Sequence, residues 1–449
     1  MEAVRVVLVS TYELGRQPFG LASPAAWLRA EGHEVTMADL SCSRPPQAAF
    51  ERADLIAFYL PMHTATRLFL KLVERVRAVN PRAYLCAYGL YAPLNEAILR
   101  RVGVRAVLGG EFEAGLAALA RALAAGRAVE SAGLPLISLE KLRFLPPDRS
   151  GLPPLGAYAH LVMDGATRRV GYTEASRGCK HLCRHCPVVP VYGGQFRIVQ
   201  RDVVLEDIRR QVAAGAEHIT FGDPDFFNGP GHAMALVEAL AREWPRLSYD
   251  VTIKIEHLLR HRELLPRLAR TGCLFAISAV ESLDDAVLEK LAKGHTRADF
   301  VEALGLMRAA GLAMAPTFIP FTPWTTRESY RHFLRDLAEL HVVEQVAPIQ
   351  LAIRLLIPEG SLLMELPEVR ALVEPFDPRA LVYPWRNQDA ELDRLAAAIQ
   401  ETIKREERRQ AGRGEIFRRI WDLAQAGDFP QTPLPARATI PYLTEPWYC

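Results

Sequence analysis

Ser176-Arg-Gly-Cys-Lys-His-Leu-Cys-Arg-His-Cys-Pro-Val-Val-Pro190 holds three of the chain's seven cysteines, Cys179, Cys183 and Cys186, in C-x3-C-x2-C spacing. Three thiolates can hold three irons of a [4Fe–4S] cluster and leave the fourth iron without a protein ligand. An open iron is where a small molecule can bind and receive an electron. Zinc is the competing reading: it wants four closed ligands, with His181 or His185 available as the fourth. Spacing alone does not separate the two.

The rest of the composition bounds the setting. A chain of 449 residues should hold two or three domains. Half the residues are hydrophobic, 24% are charged and the formal charge is +2, a balance that argues against nucleic acid or an anionic membrane as partner. No apolar run approaches the length of a membrane-spanning helix. Met1-Glu-Ala-Val-Arg5 begins with an acid and runs into a strand, unlike a signal peptide. Seven cysteines, an odd number gathered around one motif, suit metal binding in a reducing compartment, so a cytoplasmic protein is expected. Cys42, Cys86 and Cys273 read as small buried hydrophobes.

Upstream of the cysteines the chain alternates strands and helices. Val4–Val9, His33–Met37, Asp54–Leu60, Ala83–Tyr88 and Val104–Leu108 read as strands, with helices over Leu21–Glu31 and about Thr64–Val79. This pitch predicts a doubly wound parallel sheet with its ligand crevice at the carboxyl ends of the strands. Leu145-Pro-Pro-Asp-Arg-Ser-Gly-Leu-Pro-Pro-Leu155 carries four prolines and reads as a linker.

Downstream, strands are expected at His218–Phe221, Asp250–Glu256, Phe275–Ser282, Ala315–Pro323 and Gln350–Ile357. Lys254 and Glu256 would share one side of the second of these, either facing a ligand or pairing with each other. Arg354, on the last, would meet a carboxylate or point outward. Gly222-Asp-Pro-Asp225 combines a glycine that lets the backbone approach a ligand with carboxylates suited to an ammonium; an Asp-Pro helix-capping turn is the alternative. Leu392, Leu395, Ile399 and Ile403 recur at helical spacing, and Lys404–Arg409 reads as the solvated end of that helix.

The cysteine motif and the segments around it resemble the radical S-adenosylmethionine (SAM) superfamily, although its often aromatic position before the third cysteine is His185 here. Gly20–Val35, Ala57–Thr64 and Gly109–Glu113 resemble the cobalamin-binding-like domain that precedes the barrel in one large class of these enzymes. No D-x-H-x-x-G occurs, so no histidine is marked to ligate cobalt from below, and the usual glycine-rich turn is Ala87-Tyr-Gly-Leu-Tyr-Ala92. Cys183–Gly194, Phe221–Phe227 and Lys293-Gly-His-Thr296 resemble the CUAEP/CCAEP-tail radical SAM proteins.

The resemblance implies an α/β fold: a Rossmann-like domain over 1–130, a Pro-rich linker over 131–169, a partial (β/α)6 barrel over 170–375 and a helical extension over 376–449. It implies a [4Fe–4S] cluster on Cys179, Cys183 and Cys186, SAM, cobalamin, and a flavodoxin- or ferredoxin-type electron donor. Gly222 with Asp223 or Asp225 would hold the SAM ammonium, and Ser278 and Glu281 would contact SAM; Lys254, Glu256 and Arg354 complete the candidate cofactor-binding set. Three readings follow: a cobalamin-associated radical SAM enzyme methylating or rearranging an unactivated carbon of a small molecule or peptide, a cobalamin-free one abstracting hydrogen, or an electron carrier. Cys449 stands where the tail of the resembled group begins with Cys-Cys or Cys-selenocysteine: a UGA at codon 450 read as a stop would produce this end, a sequence truncated there would look the same, and an incidental terminal cysteine is the alternative.

Overall fold

The computed structural model describes residues 3–127 and 133–429, together with the strand Tyr442–Leu443. Its first sheet has the order β2-β1-β3-β4-β5-β6, from β1 (Arg5–Ser10), β2 (Glu34–Asp39), β3 (Leu55–Tyr59), β4 (Tyr84–Tyr88), β5 (Ala106–Gly110) and β6 (Ile137–Ser138). Every pairing in it is parallel. The unbroken apolar runs follow from cover on both faces. Val6, Leu8, Leu55 and Ala57 enter one core, while Val7, Val9, Ile56 and Phe58 enter the other. Side chains alternate across a strand, so a strand covered on both sides has no position left for a polar residue. The helices Phe19–Ala30 and His63–Val79 lie close to where the sequence places them.

The second sheet is a curled half-barrel of order β14-β13-β12-β11-β8-β7-β15. It comprises β7 (His160–Met163), β8 (Ala166–Thr173), β11 (His218–Phe221), β12 (Ser248–Thr252), β13 (Cys273–Glu281), β14 (Ala313–Phe318) and β15 (Tyr442–Leu443). From β8 to β14 the pairings are parallel, whereas β7 and β15 close one edge antiparallel. Between β8 and β11 the chain makes a two-stranded antiparallel pair, β9 (Ser176–Gly178) and β10 (Phe196–Ile198). One continuous core joins this half-barrel to the helices Ala390–Arg408 and Arg413–Ala424.

Several expectations are corrected. The strand predicted to run to Glu256 stops at Thr252, and the helix Ile255–Arg260 takes over, with Lys254 as its N-cap. The predicted sixth strand is a 3-10 turn, Pro348–Leu351, followed by a single parallel bridge from Arg354 to Phe321. The proline-rich segment lies between β6, the edge strand of the first sheet, and β7, which sits between β8 and β15 in the half-barrel. In the charge run after Ile403, Glu406 is buried and ringed by Arg405, Arg409 and Arg419, so the run is only partly solvated. Cys86 and Cys273 are buried as expected, but Cys42 is exposed. Cys449 lies outside the described residues.

Candidate active site

The cysteine loop leaves β9 at Gly178, whose φ of +75° and neighbours admit no side chain: an added Cβ would stand 2.4 Å from the Tyr192 ring and 2.5 Å from the Gln195 carbonyl oxygen. Asn228 holds this exit, accepting from the Lys180 amide at 3.1 Å and donating to the Gly178 carbonyl at 3.3 Å. Beyond Cys183 the Arg184 amide donates to the Leu291 carbonyl at 3.0 Å, and its guanidinium reaches the Glu289 and Lys290 carbonyls. A turn donates the Cys186 amide to the Cys183 carbonyl at 3.1 Å. Cys179 and Cys186 pack against Val188, Val191 and Tyr192, with Leu90 and Leu94 arriving from the first sheet's side. Burial pushes the Cys186 thiol up to about 12 and raises Cys179 as well. Such thiols ionise readily only when a metal takes the place of the proton.

The spread of the three thiols bears on which metal fits. Among the described residues, the donors that gather within 4.8 Å of one another are those of Cys179, His181 and Asp225, and the three cysteines do not form such a group. Ligands of one tetrahedral zinc, each about 2.0–2.3 Å from the ion, sit closer together than that. Neither loop histidine supplies a fourth ligand to a closed zinc site. His181 lies 3.5 Å from Asp225 and 3.4 Å from Glu256, and His185 lies 3.1 Å from Glu281. The pocket fits a cluster, with Cys179, Cys183 and Cys186 as the residues that would hold it.

Glu281 ends β13 behind a register shift and takes φ of +70°, in the left-handed region where a glutamate is uncommon. Burial would raise its pKa, but Lys293, at 3.4 Å, and the His185 hydrogen bond outweigh that and hold it at about 2. Lys293 is itself buried, held charged by Glu281 and by the thiols of Cys183 and Cys186. Beside it, His295 is kept neutral down to about 4 by burial and by Lys293 and Lys254.

The other predicted residues divide sharply. Asp223 is buried and already engaged, accepting from the Ala175 amide at 2.8 Å and from the Ser176 hydroxyl at 2.5 Å. With one bond accepted on each oxygen, it fastens the cysteine loop. Gly222 permits this packing, since an added Cβ would stand 1.9 Å from the Tyr172 hydroxyl. Ser278 donates to the Ile253 carbonyl at 2.8 Å and is a tie between strands. Arg354 points away from the site, 2.6 Å from Asp393 and stacked 4.0 Å over Trp385. Lys254 and Glu256 stand 3.7 Å apart at the mouth, beside Gly294. Asp225 caps the Phe227 amide with one oxygen and turns the other toward His181 and His257.

Arg177, Lys293, His257 and His295 went unread in the sequence. Three of them stood inside quoted motifs, Arg177 two residues before Cys179, and Lys293 and His295 in Lys293-Gly-His-Thr296. The available signal was the cost of burying a charge, which shows only once burial is known. Arg177 is enclosed by Glu174 at 2.7 Å, Glu113 at 2.7 Å and Glu111 at 3.2 Å, with Phe19, Phe112 and Phe144 around its guanidinium. Glu111 and Glu113 follow β5, so this network joins the first sheet's carboxyl edge to the cysteine loop. Next to it lies a cavity of about 150 Å³ lined from both sides, by Tyr59, Leu90 and Phe112 and by Ser176, Tyr192 and Gly222.

A family model of the radical SAM superfamily matches residues 173–337, the stretch that holds the cysteine loop and most of the half-barrel. Among curated proteins, the chain is 27% identical over 348 residues to the hopanoid C-3 methylase of Methylococcus capsulatus, covering 72% of this chain and 65% of that protein. A shorter stretch of 133 residues, 29% of this chain and 28% of the relative, is 29% identical to the bacteriochlorophyllide d C-12(1)-methyltransferase of Chlorobaculum tepidum. The chain therefore spans less than two thirds of either relative. Two solved structures share the fold. One is the cobalamin-dependent SAM radical enzyme OxsB, at TM-score 0.70 and 16% identity over 90% of this chain and 67% of that one. The other is the radical SAM methyltransferase TsrM of Kitasatospora setae, solved with cobalamin and a [4Fe–4S] cluster, at 0.61 and 18% over 75% and 73%.

Proposed function

We propose that this protein is a cobalamin-associated radical SAM enzyme that methylates or rearranges an unactivated carbon of a small molecule or peptide. The observation that carries the reading is the apolar cysteine loop, whose three thiols are too spread to close on a single zinc. A cluster bound there would supply an open iron for the amino-acid end of SAM and the electron that cleaves SAM to a 5′-deoxyadenosyl radical.

The chain's own residues set up that site. Lys293 offsets the negative charge of the thiolates at Cys183 and Cys186. Glu281, ionised and held by Lys293 and His185, is the carboxylate we assign to the SAM ammonium. Asp223 holds Ser176 and thereby the start of the cysteine loop. The loop presents Leu182 to solvent beside Cys183, which suits docking of a flavodoxin- or ferredoxin-type donor.

Cobalamin is supported by the class of the relatives and of the fold neighbours, and its place would be the crevice between the two sheets. As packed, that crevice holds about 150 Å³, below the 300 Å³ or more usual for ligand sites. The six described cysteines are all free, and no helix among the described residues is long and apolar enough to cross a membrane. Both fit a cytoplasmic setting.

Anaerobic reconstitution with iron and sulfide, then reduction with SAM, should yield methionine and 5′-deoxyadenosine. Hydroxocobalamin added before desalting should leave a corrin absorption band with the protein. Absence of 5′-deoxyadenosine from cluster-loaded protein would defeat the radical SAM reading, and loss of the corrin band on desalting would select the cobalamin-free alternative.

A further inference from the structure

The helix Asp285–Lys290 meets the cysteine loop end-on. The Arg184 amide donates to the Leu291 carbonyl at 3.0 Å, and the Arg184 guanidinium takes the Glu289 and Lys290 carbonyls. The chain then turns back on itself. The Ala292 amide donates to the Glu289 carbonyl and the Lys293 amide to the Leu288 carbonyl, both at 3.0 Å, the two bonds of a Schellman turn. Its left-handed position, normally a glycine, is Ala292 at φ of +53°, and Gly294 at +72° follows Lys293. Between these two left-handed residues Lys293 is turned inward, and its side chain is 3% exposed.

A buried ammonium is costly unless it is paired and hydrogen-bonded, and lysine brings three N–H donors. Among the described residues the Lys293 ammonium makes one hydrogen bond, to Glu281 Oε1 at 3.4 Å. That is long beside the about 2.7–2.9 Å of a close charge-assisted bond. The same oxygen lies 3.1 Å from Nε2 of His185, the residue before Cys186, so the carboxylate is shared and the ammonium keeps donors unused. The thiols of Cys183 and Cys186 join Glu281 in holding Lys293 charged, whereas Cys179 faces Lys254.

A buried ion pair adds little stability over apolar packing. This one also sits on strained backbone at both ends, Glu281 at φ of +70° and the turn at Ala292. Strain of that kind persists where a functional geometry requires it. The potential of an iron–sulfur cluster follows its net charge and the hydrogen bonds to its sulfurs, and a fixed cation in low dielectric favours the reduced, more negative state.

We propose that Lys293, opposed by Glu281, sets the reduction potential of a cluster held by Cys179, Cys183 and Cys186, the ammonium raising it and the carboxylate lowering it. The assignment rests on the cluster reading above and concerns the entry of the electron, before SAM is cleaved.

The test uses the full chain with its cluster reconstituted, poised anaerobically at a series of potentials without SAM. The reduced cluster is read by electron paramagnetic resonance. Lys293→Met should keep the iron content and absorption but lower the reduced-to-oxidised ratio about tenfold at any set potential, a midpoint shift of about 59 mV. Lys293→Arg, which keeps the charge, should stay near the parent. Glu281→Gln should move the midpoint upward, and loosened packing would not shift two touching residues in opposite directions. An unchanged midpoint in cluster-loaded Lys293→Met would overturn the proposal, as would shifts of one sign in Lys293→Met and Glu281→Gln. Should Lys293→Met take up no cluster, Glu281→Gln decides, and a midpoint at or below the parent's overturns it. A parent without a cluster would end both readings. A loaded parent that yields no 5′-deoxyadenosine would defeat the radical SAM reading alone, whereas failure here shows only in the variants' midpoints.

Discussion

The carboxyl edges of the two sheets face one another, and they handle buried charge in opposite ways. At the first sheet, Arg177 is closed in by Glu111, Glu113, Glu174 and three aromatic rings, so its charge is met by carboxylates and its volume is filled. At the half-barrel, charged and polar groups are brought together with positions left over: three separated thiols, a strained Glu281, a neutral His295, and a Lys293 ammonium with unused donors. The first arrangement joins two sheets, and the second keeps ligand positions open. A closed ionic network gains little net stability over apolar packing but costs much to break, because removing one partner strands the others in low dielectric. An unfinished one is tolerable only where a ligand completes it.

The largest effect expected from this contrast lies at the cysteines. Alanine at Cys179, Cys183 or Cys186 should abolish SAM cleavage, measured as 5′-deoxyadenosine, while serine at Cys42, Cys86 or Cys273 should leave iron content unchanged. Normal cleavage in any one of the three alanine variants would remove that residue from the cluster.

Next comes Arg177→Met, which leaves Glu111, Glu113 and Glu174 buried without their cation and should cost roughly 3–5 kcal/mol in chemical denaturation. Stability close to the parent's would mean that the network joins nothing. Glu281→Gln should do the reverse, weakening SAM binding about 10-fold or more, the scale of a hydrogen bond to a charged group, with a smaller change in stability. Equilibrium dialysis of SAM against the cluster-loaded variant would show this, and unchanged affinity would free Glu281 of that role.

A smaller effect concerns pH. Burial, reinforced by Glu113, raises Glu111 to about 7 against the opposing pull of Arg177. A carboxyl whose folded pKa lies above its unfolded value stabilises fully below the unfolded pKa, near 4.5, and loses that contribution as pH rises toward 7. Stability should therefore fall by roughly 3 kcal/mol at most across that window. Glu111→Gln should flatten part of the slope, leaving the share of Asp223, which burial also raises to about 7. An unchanged slope in the variant would show that Glu111 does not titrate there. The smallest change is Arg354→Ala at the half-exposed pair with Asp393, about 1 kcal/mol or less.

The sequence by itself determined the α/β class, the alternation of the first sheet, the cysteine triad, and the helix carrying Leu392, Ile399 and Ile403 on its inner face. These are local: strand runs, helical spacing and ligand spacing are written in consecutive residues. It did not determine where β12 ends or that Gln350–Ile357 fails to form a strand, because apolar runs of that length suit a strand or a helix-like turn equally and packing chooses. Nor did it tell Asp223 from Asp225. Two residues apart in one turn, they have the same chemistry on paper, and only the fold brings Ser176 to the first and His181 with His257 to the second. Arg177 shows the limit most plainly. Its position beside Cys179 was legible, as was Glu174 three residues before it, but its other two partners stand 64 and 66 residues upstream, where the first sheet's edge meets the loop. That meeting is a product of tertiary packing, since buried charge selects its partners by proximity in space and no local pattern encodes them.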